Sequence, residues 1–333
     1  MSKSILEDLA TYPRLNDIFV WSDYVELRCL VHPDSSFSRS ALTEAKEEME
    51  EVVGSVYDDE SDDESEEDDE FDILDSPPEK QDKLSRKSAD IFSHIGARAL
   101  LFGDDLYPFE VDEGAKSISL KADIKPWHCV YIQLLLSSAL KYVPKTRRQE
   151  VTDKFEVISH EVFKQLMPKG WEVHQFGKNS STRYTGHLFD KLTALAEDVR
   201  GTIVAKRTDF DPNDRGDGGL DLVAWHPLGD LRRSLPIAFA QCGCTADDYG
   251  PKTLEASPAM LSSKLSVIHN WSTYYFMPHS LHDGNDWVGF KKFGGAIVID
   301  RIRIMRLAHQ YAIDAASLFI PALISEAKDL SYS

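Results

Sequence analysis

Apolar positions recur every three to four residues over 89–102 (Ile91, Ile95, Ala99, Phe102), 145–167 (Phe155, Ile158, Val162, Phe163, Leu166) and 187–199 (Leu188, Leu192, Leu195, Val199). That spacing predicts three amphipathic helices. Pro168 with Gly170, and then Gly201, stop the last two. The stretch 127–142 is apolar on nearly every side and predicts a buried central helix. Short apolar runs at 171–176, 202–206, 220–225, 236–241, 274–277 and 295–300 predict strands, and 107–111 with 117–120 a hairpin around Asp112, Glu113 and Gly114. Ser257 and Pro258 open a helix predicted to reach 270. Helices over 301–311 and 312–330 close the chain. Upstream, an apolar patch from Ile18 to Val31 precedes a helical segment at 40–53.

This alternation predicts an α/β fold with a mixed central sheet flanked by helices and an added helical N-terminal region. Four segments are expected: a docking or partner module at 1–56, an acidic disordered linker at 57–88, a helical lead-in at 89–150, and the body at 151–333. The body is expected to start near Ser88.

Charge alters the picture in one place. The net charge is −19, yet 13 acidic residues and no basic ones fall between Asp58 and Asp75, so the rest of the chain is close to −6. Overall acidity is therefore no argument against nucleic acid, because binding depends on local patches. A run of such density stays solvated unless neutralised, so it reads as a linker. A sharper reading has it mimic a phosphate backbone in a basic groove, anchored by Phe71, Ile73 and Leu74. The four cysteines are too scattered for a disulfide framework and point to a reducing, cytoplasmic setting. No apolar run has the length of a membrane span.

The chemistry concentrates in 217–244, DGGLDLVAWHPLGDLRRSLPIAFAQCGC. Asp217 and Asp221 stand at the mouth of one predicted strand, and Gln241 ends the next. Oxygens from neighbouring strand ends suit one hard cation, Mg2+ or Mn2+. Gly218-Gly219-Leu220-Asp221 and the strand-terminal Gln241 resemble the GG-x-D and Q-x-K elements of the restriction-endonuclease-like PD-(D/E)xK nucleases, in their Mrr-like form. The resemblance covers roughly 150–300. It implies a magnesium-dependent endonuclease acting on DNA, of a bacterial anti-phage defence or restriction type. Asp221 and Gln241 would hold the cation, with Asp217 beside them. The implied partners are DNA and a protein of a multi-component system that gates activity; self-association as a homo-oligomer fits as well.

The chain departs from that pattern at the lysine position, which holds Gly243. Lys252 is the leading substitute, then Lys264, then Lys206; without one, the chain reads as a catalytically degenerate scaffold. A helix glutamate often completes such sites, and Glu156 fits better than Asp190. Cys242 and Cys244 with His226, His269 or His279 offer a weak zinc alternative. Arg147, Arg148, Arg183, Arg232 and Arg233 are candidate phosphate contacts. Arg301 and Arg303, after Asp300, suit either a phosphate clamp or a structural ion pair.

Overall fold

The computed structural model describes residues 5–13, 17–45, 77–112, 114–177, 183–245, 249–283, 286–287, 293 and 295–329. The acidic run 58–75 lies outside them. The N-terminal half holds α1 (Ile18–Val31), β1 (Ser36–Ser38), α2 (Pro77–Phe102), β2 (Phe109–Val111), β3 (Ser117–Leu120) and α3 (Pro126–Ser138). There follow α4 (Arg148–Leu166), β4 (Glu172–Gln175), α5 (Leu188–Asp198), β5 (Thr202–Ile203), β6 (Leu222–Trp225) and β7 (Ile237–Cys242). The remainder comprises short α6 (Tyr249–Lys252), short α7 (Pro258–Leu261), β8 (Leu265–Ser266), β9 (Ser272–Phe276), β10 (His282–Asp283), β11 (Asp286–Trp287), β12 (Ile297–Ile299), α8 (Arg301–Gln310) and α9 (Pro321–Lys328). None of the described helices is long and apolar enough to cross a membrane.

The central sheet is mixed, in the order β12-β9-β7-β6-β4. Strand β6 runs antiparallel to both β4 and β7, whereas β7, β9 and β12 run parallel to one another. Its middle strands are buried on both faces, which is why β6 and β7 read as continuous apolar runs rather than alternating ones. Leu222, Ala224, Ala238 and Ala240 face the main core, which includes Phe155 and Phe163 of α4. The alanines on that face leave room for a helix to come close. Val223, Trp225, Ile237 and Phe239 face a second core built with Leu188, Leu192 and Leu195 of α5.

Several expectations need correction. Within the described part of 1–56, Ile5, Leu6, Leu9 and the buried face of α1 belong to the same core as α3, α4 and the sheet. Strand β1 also pairs with β3, extending the predicted hairpin to three strands. The expected linker at 57–88 is helical from Pro77, the first turns of α2. The predicted 257–270 helix stops after one turn, and Leu265–Ser266 pairs instead with Thr202–Ile203 in a separate small sheet. At the end, Pro321 starts a fresh helix after a 3-10 turn at Ala315–Leu318, so 312–330 is not continuous.

What joins α1 to the body is charge. Asp23 accepts hydrogen bonds from Arg98 of α2 (2.7 Å), Arg301 of α8 (2.8 and 3.1 Å) and Ser138 (2.7 Å). Glu26 accepts from Arg98 (3.0 Å), Tyr107 (2.8 Å) and Tyr131 (2.9 Å), and the Arg301 guanidinium also lies over the Tyr131 ring. All of these side chains except Ser138 are buried. Burial alone would raise Asp23, but Arg301, Arg98 and His279 outweigh it and hold its carboxyl below the ordinary range. Arg301 is thus the structural ion pair of the two readings open for it.

Candidate active site

The DGGLD turn is built locally. The Asp214 and Asp217 carboxylates accept from the backbone N–H groups of Gly216 and Gly219, both at 2.8 Å, while Gly218 and Gly219 take φ of +66° and +90°. Two lysines brace it from outside. Lys191 of α5 donates to the carbonyls of Arg215 (3.1 Å) and Gly216 (3.0 Å), and Lys264 to that of Gly218 (3.3 Å). Burial pulls the Lys191 ammonium below its ordinary value, opposed by Asp217 and Asp214.

Asp221 leaves this turn into β6. Its N–H donates at 3.0 Å to the carbonyl of Ala240, the residue opposite Leu222, and its carbonyl accepts from Phe176, so the chain bends into β6 at this residue. Past the Leu222–Ala240 pair, the next β7 residue, Gln241, pairs with Tyr275 on β9. Asp221, Gln241 and Tyr275 therefore make a row at one end of three adjacent strands, with Gln241 and Tyr275 on one face of the sheet.

Every member of the row is short of partners. Asp221 is 5% exposed and its Oδ2 accepts from the Cys242 N–H at 2.7 Å. Burial, then the charges of Asp217 and Glu156, push its carboxyl well above the ordinary range against that one hydrogen bond. Among the described residues no basic side chain pairs with it. The Gln241 Oε1 and the Tyr275 hydroxyl are both buried without a hydrogen-bond partner. A buried polar atom left so costs roughly 1–3 kcal/mol, which makes each a feature to be explained.

Glycines bound the row at both ends. A Cβ at Gly177 would lie 3.1 Å from Asp221 Oδ1, and one at Gly243 would lie 2.0 Å from the Tyr275 oxygen. The glycine at 243 thus has a steric cause: the Tyr275 hydroxyl occupies the space a side chain there would need.

Other candidates fall in two groups. Glu156 on α4 is near enough for its charge to act on Asp221, Cys242 and Cys244. Lys252 donates to Thr245 Oγ1 at 2.8 Å, and its charge reaches Cys244, so it stands by the exit of β7. Asp190 instead pairs with Arg207 on the surface, and Lys206 is exposed at the start of a 3-10 turn.

The predicted phosphate contacts are placed elsewhere. Arg147 ties Glu150 to Glu326, and Arg148 donates to the carbonyls of Val143 and Lys141. Arg183 forms a two-pronged pair with Asp198 over the Trp225 ring. Arg232, bonded to Asp230, and the exposed Arg233 sit on the turn joining β6 to β7. That turn and Trp225 are at the opposite end of the strands from Asp221, roughly 13 Å away along β6.

The row suits a hard cation in donor chemistry: a carboxylate with no counter-charge and an amide oxygen with no partner. Among the described residues, no group of three or more His, Cys, Asp or Glu side chains converges as a ligand set. Asp217 is engaged in its turn, and His279 faces the Cys244 carbonyl, away from a Cys-x-Cys zinc arrangement. Sequence reasoning missed Tyr275 and Lys191. The period-two alternation within Ser-Thr-Tyr-Tyr-Phe marks Tyr275 and Thr273 as one face of β9, but only strand pairing says which residue meets Gln241. Comparison with protein-family models, with curated proteins and with solved structures gives no match to this chain.

Proposed function

We propose that the chain is a metal-dependent nuclease cleaving DNA phosphodiester bonds, with Asp221 and Gln241 as the residues that hold the cation. The observation that carries this reading is the uncompensated pair: a buried carboxylate with no basic partner among the described residues, beside a buried amide oxygen that bonds nothing. When bound, a divalent cation supplies stabilisation of phosphate charge and makes a nearby water easier to deprotonate. The chain's part is to hold its donors in place. The Cys242 N–H holds Asp221 at the end of β7, next in sequence to Gln241. Glu156 adds negative potential, and Lys252 adds positive charge at the β7 exit.

The raised Asp221 carboxyl supports a direct test, because a cation entering there must displace its proton. Titrating the purified chain with Mn2+ in buffers of rising pH is expected to release a proton, at those pH values where the folded carboxyl still holds one, that Asp221→Asn does not release. Supercoiled plasmid with Mg2+ is expected to be nicked by the wild-type chain and about a hundredfold more slowly, or not at all, by Asp221→Asn. A second reading, a scaffold that keeps the fold without the chemistry, is favoured by the Tyr275 hydroxyl at the lysine position. Full cleavage by Asp221→Asn would refute the residue assignment. Absence of both Mn2+ binding and cleavage in the wild-type chain would favour the scaffold.

A further inference from the structure

We propose that the Tyr275 hydroxyl, which lies over Gly243, is the phosphate-contacting donor of this site; this rests on the nuclease reading above. Three observations converge. Tyr275 is in register with Gln241 on one face of the sheet, and Asp221 accepts from the N–H of Cys242, the residue after Gln241. Its hydroxyl is buried and bonds nothing, as does the Gln241 oxygen next to it. Position 243 is bare because a Cβ there would overlap that hydroxyl at 2.0 Å, so tyrosine and a residue-243 side chain exclude each other.

The nature of the guest follows from the chemistry. The row offers one carboxylate, one amide oxygen and one O–H donor, and the charges acting on Tyr275 come from Cys244, Cys242, Glu255 and Asp221. A phenol keeps its proton at neutral pH, so it is a hydrogen-bond donor and not a base. A cation on the two oxygens leaves the hydroxyl to meet an anionic oxygen that the cation brings with it. The non-bridging oxygen of a phosphodiester is that ligand. A neutral phenol can stabilise charge developing there, which a lysine would otherwise do, without carrying charge into the buried row. Tyr275 is 0% exposed, so entry requires the strand exits beside Gly177 and Gly243 to yield locally.

Tyr275→Phe removes only the oxygen, and the full chain can be assayed with a short labelled DNA duplex. With Mg2+, kcat is expected to fall about ten- to a hundredfold. Mn2+ affinity is expected to stay within about twofold, and the thermal midpoint to hold or rise, because an unpaired buried hydroxyl has gone. Wild-type kcat in Tyr275→Phe alongside an inactive Asp221→Asn would overturn the role of Tyr275 and leave the nuclease reading intact. A midpoint that falls together with Mn2+ affinity would also overturn it, by making the hydroxyl structural. A wild-type chain that neither binds Mn2+ nor cleaves would overturn both.

Discussion

Asp23 and Asp221 are buried to nearly the same degree, 4% and 5% exposed, and yet their carboxyls move in opposite directions. Asp23 lies between two guanidinium groups, with Arg98 and Arg301 on Oδ1 and Arg301 and the Ser138 hydroxyl on Oδ2, so it stays charged and holds three helices together. Asp221 has one backbone N–H and a set of neighbouring carboxylates, so the fold favours its proton. Burial is the same cost in both; what differs is compensation. The first cluster matches its carboxylates with guanidinium groups, whereas the second has no such counter-charge among the described residues.

The comparison can be broken at several points. Arg301→Met would strand Asp23 and leave Glu26 with fewer donors, and is expected to cost about 3–5 kcal/mol in denaturant unfolding. A loss below about 1 kcal/mol would mean the cluster contributes little. Acid should weaken the same region next. Burial draws His94 and His279 down to about 4, so both fold neutral. Their contribution is complete above about 6.5 and is lost as pH falls from there through about 4, on the order of 3 kcal/mol for each histidine. His94→Asn is expected to flatten that acid limb in a urea-midpoint series.

At the second cluster, Gly243→Ala sets a methyl against the Tyr275 hydroxyl and is expected to destabilise by about 1–3 kcal/mol, read as a shift in denaturation midpoint. Asp221→Asn should act least on stability, and in the opposite sense to Arg301→Met. The folded Asp221 binds its proton more tightly than the unfolded one. Its contribution is therefore full below the ordinary carboxylate value of about 3.9 and fades as pH rises through the raised folded value. At neutral pH the asparagine variant is expected to match or exceed wild type by up to about 1 kcal/mol. A marked loss of stability would show that Asp221 is compensated after all.

Much of the body was legible because its faces are apolar at regular spacing. Helix α4 carries Phe155, Ile158, Val162 and Phe163 inward as the 3.6-residue period requires, and β6 and β7 stand out as runs buried on both sides. Helix α1 was not legible as a helix for a related reason: Ser22, Asp23 and Glu26 occupy inward positions, so polar residues interrupt its apolar period. Their partners, Arg98 and Arg301, are 75 and 278 residues away from Asp23. No local pattern can announce a pairing at that distance.

The sequence by itself determined which stretches become helix and strand in the body, and it brought Asp221 and Gln241 to attention, since turn glycines and strand-end polar residues are local signals. It also placed a glycine at 243 without a reason. Only the tertiary structure decided that α1 belongs to the core, that Glu156 rather than Asp190 lies near Asp221, and that Tyr275 completes the row. Those outcomes depend on strand register and on charges meeting across the core. Both are fixed by packing between segments far apart in the chain, where burial makes an unmatched polar group costly.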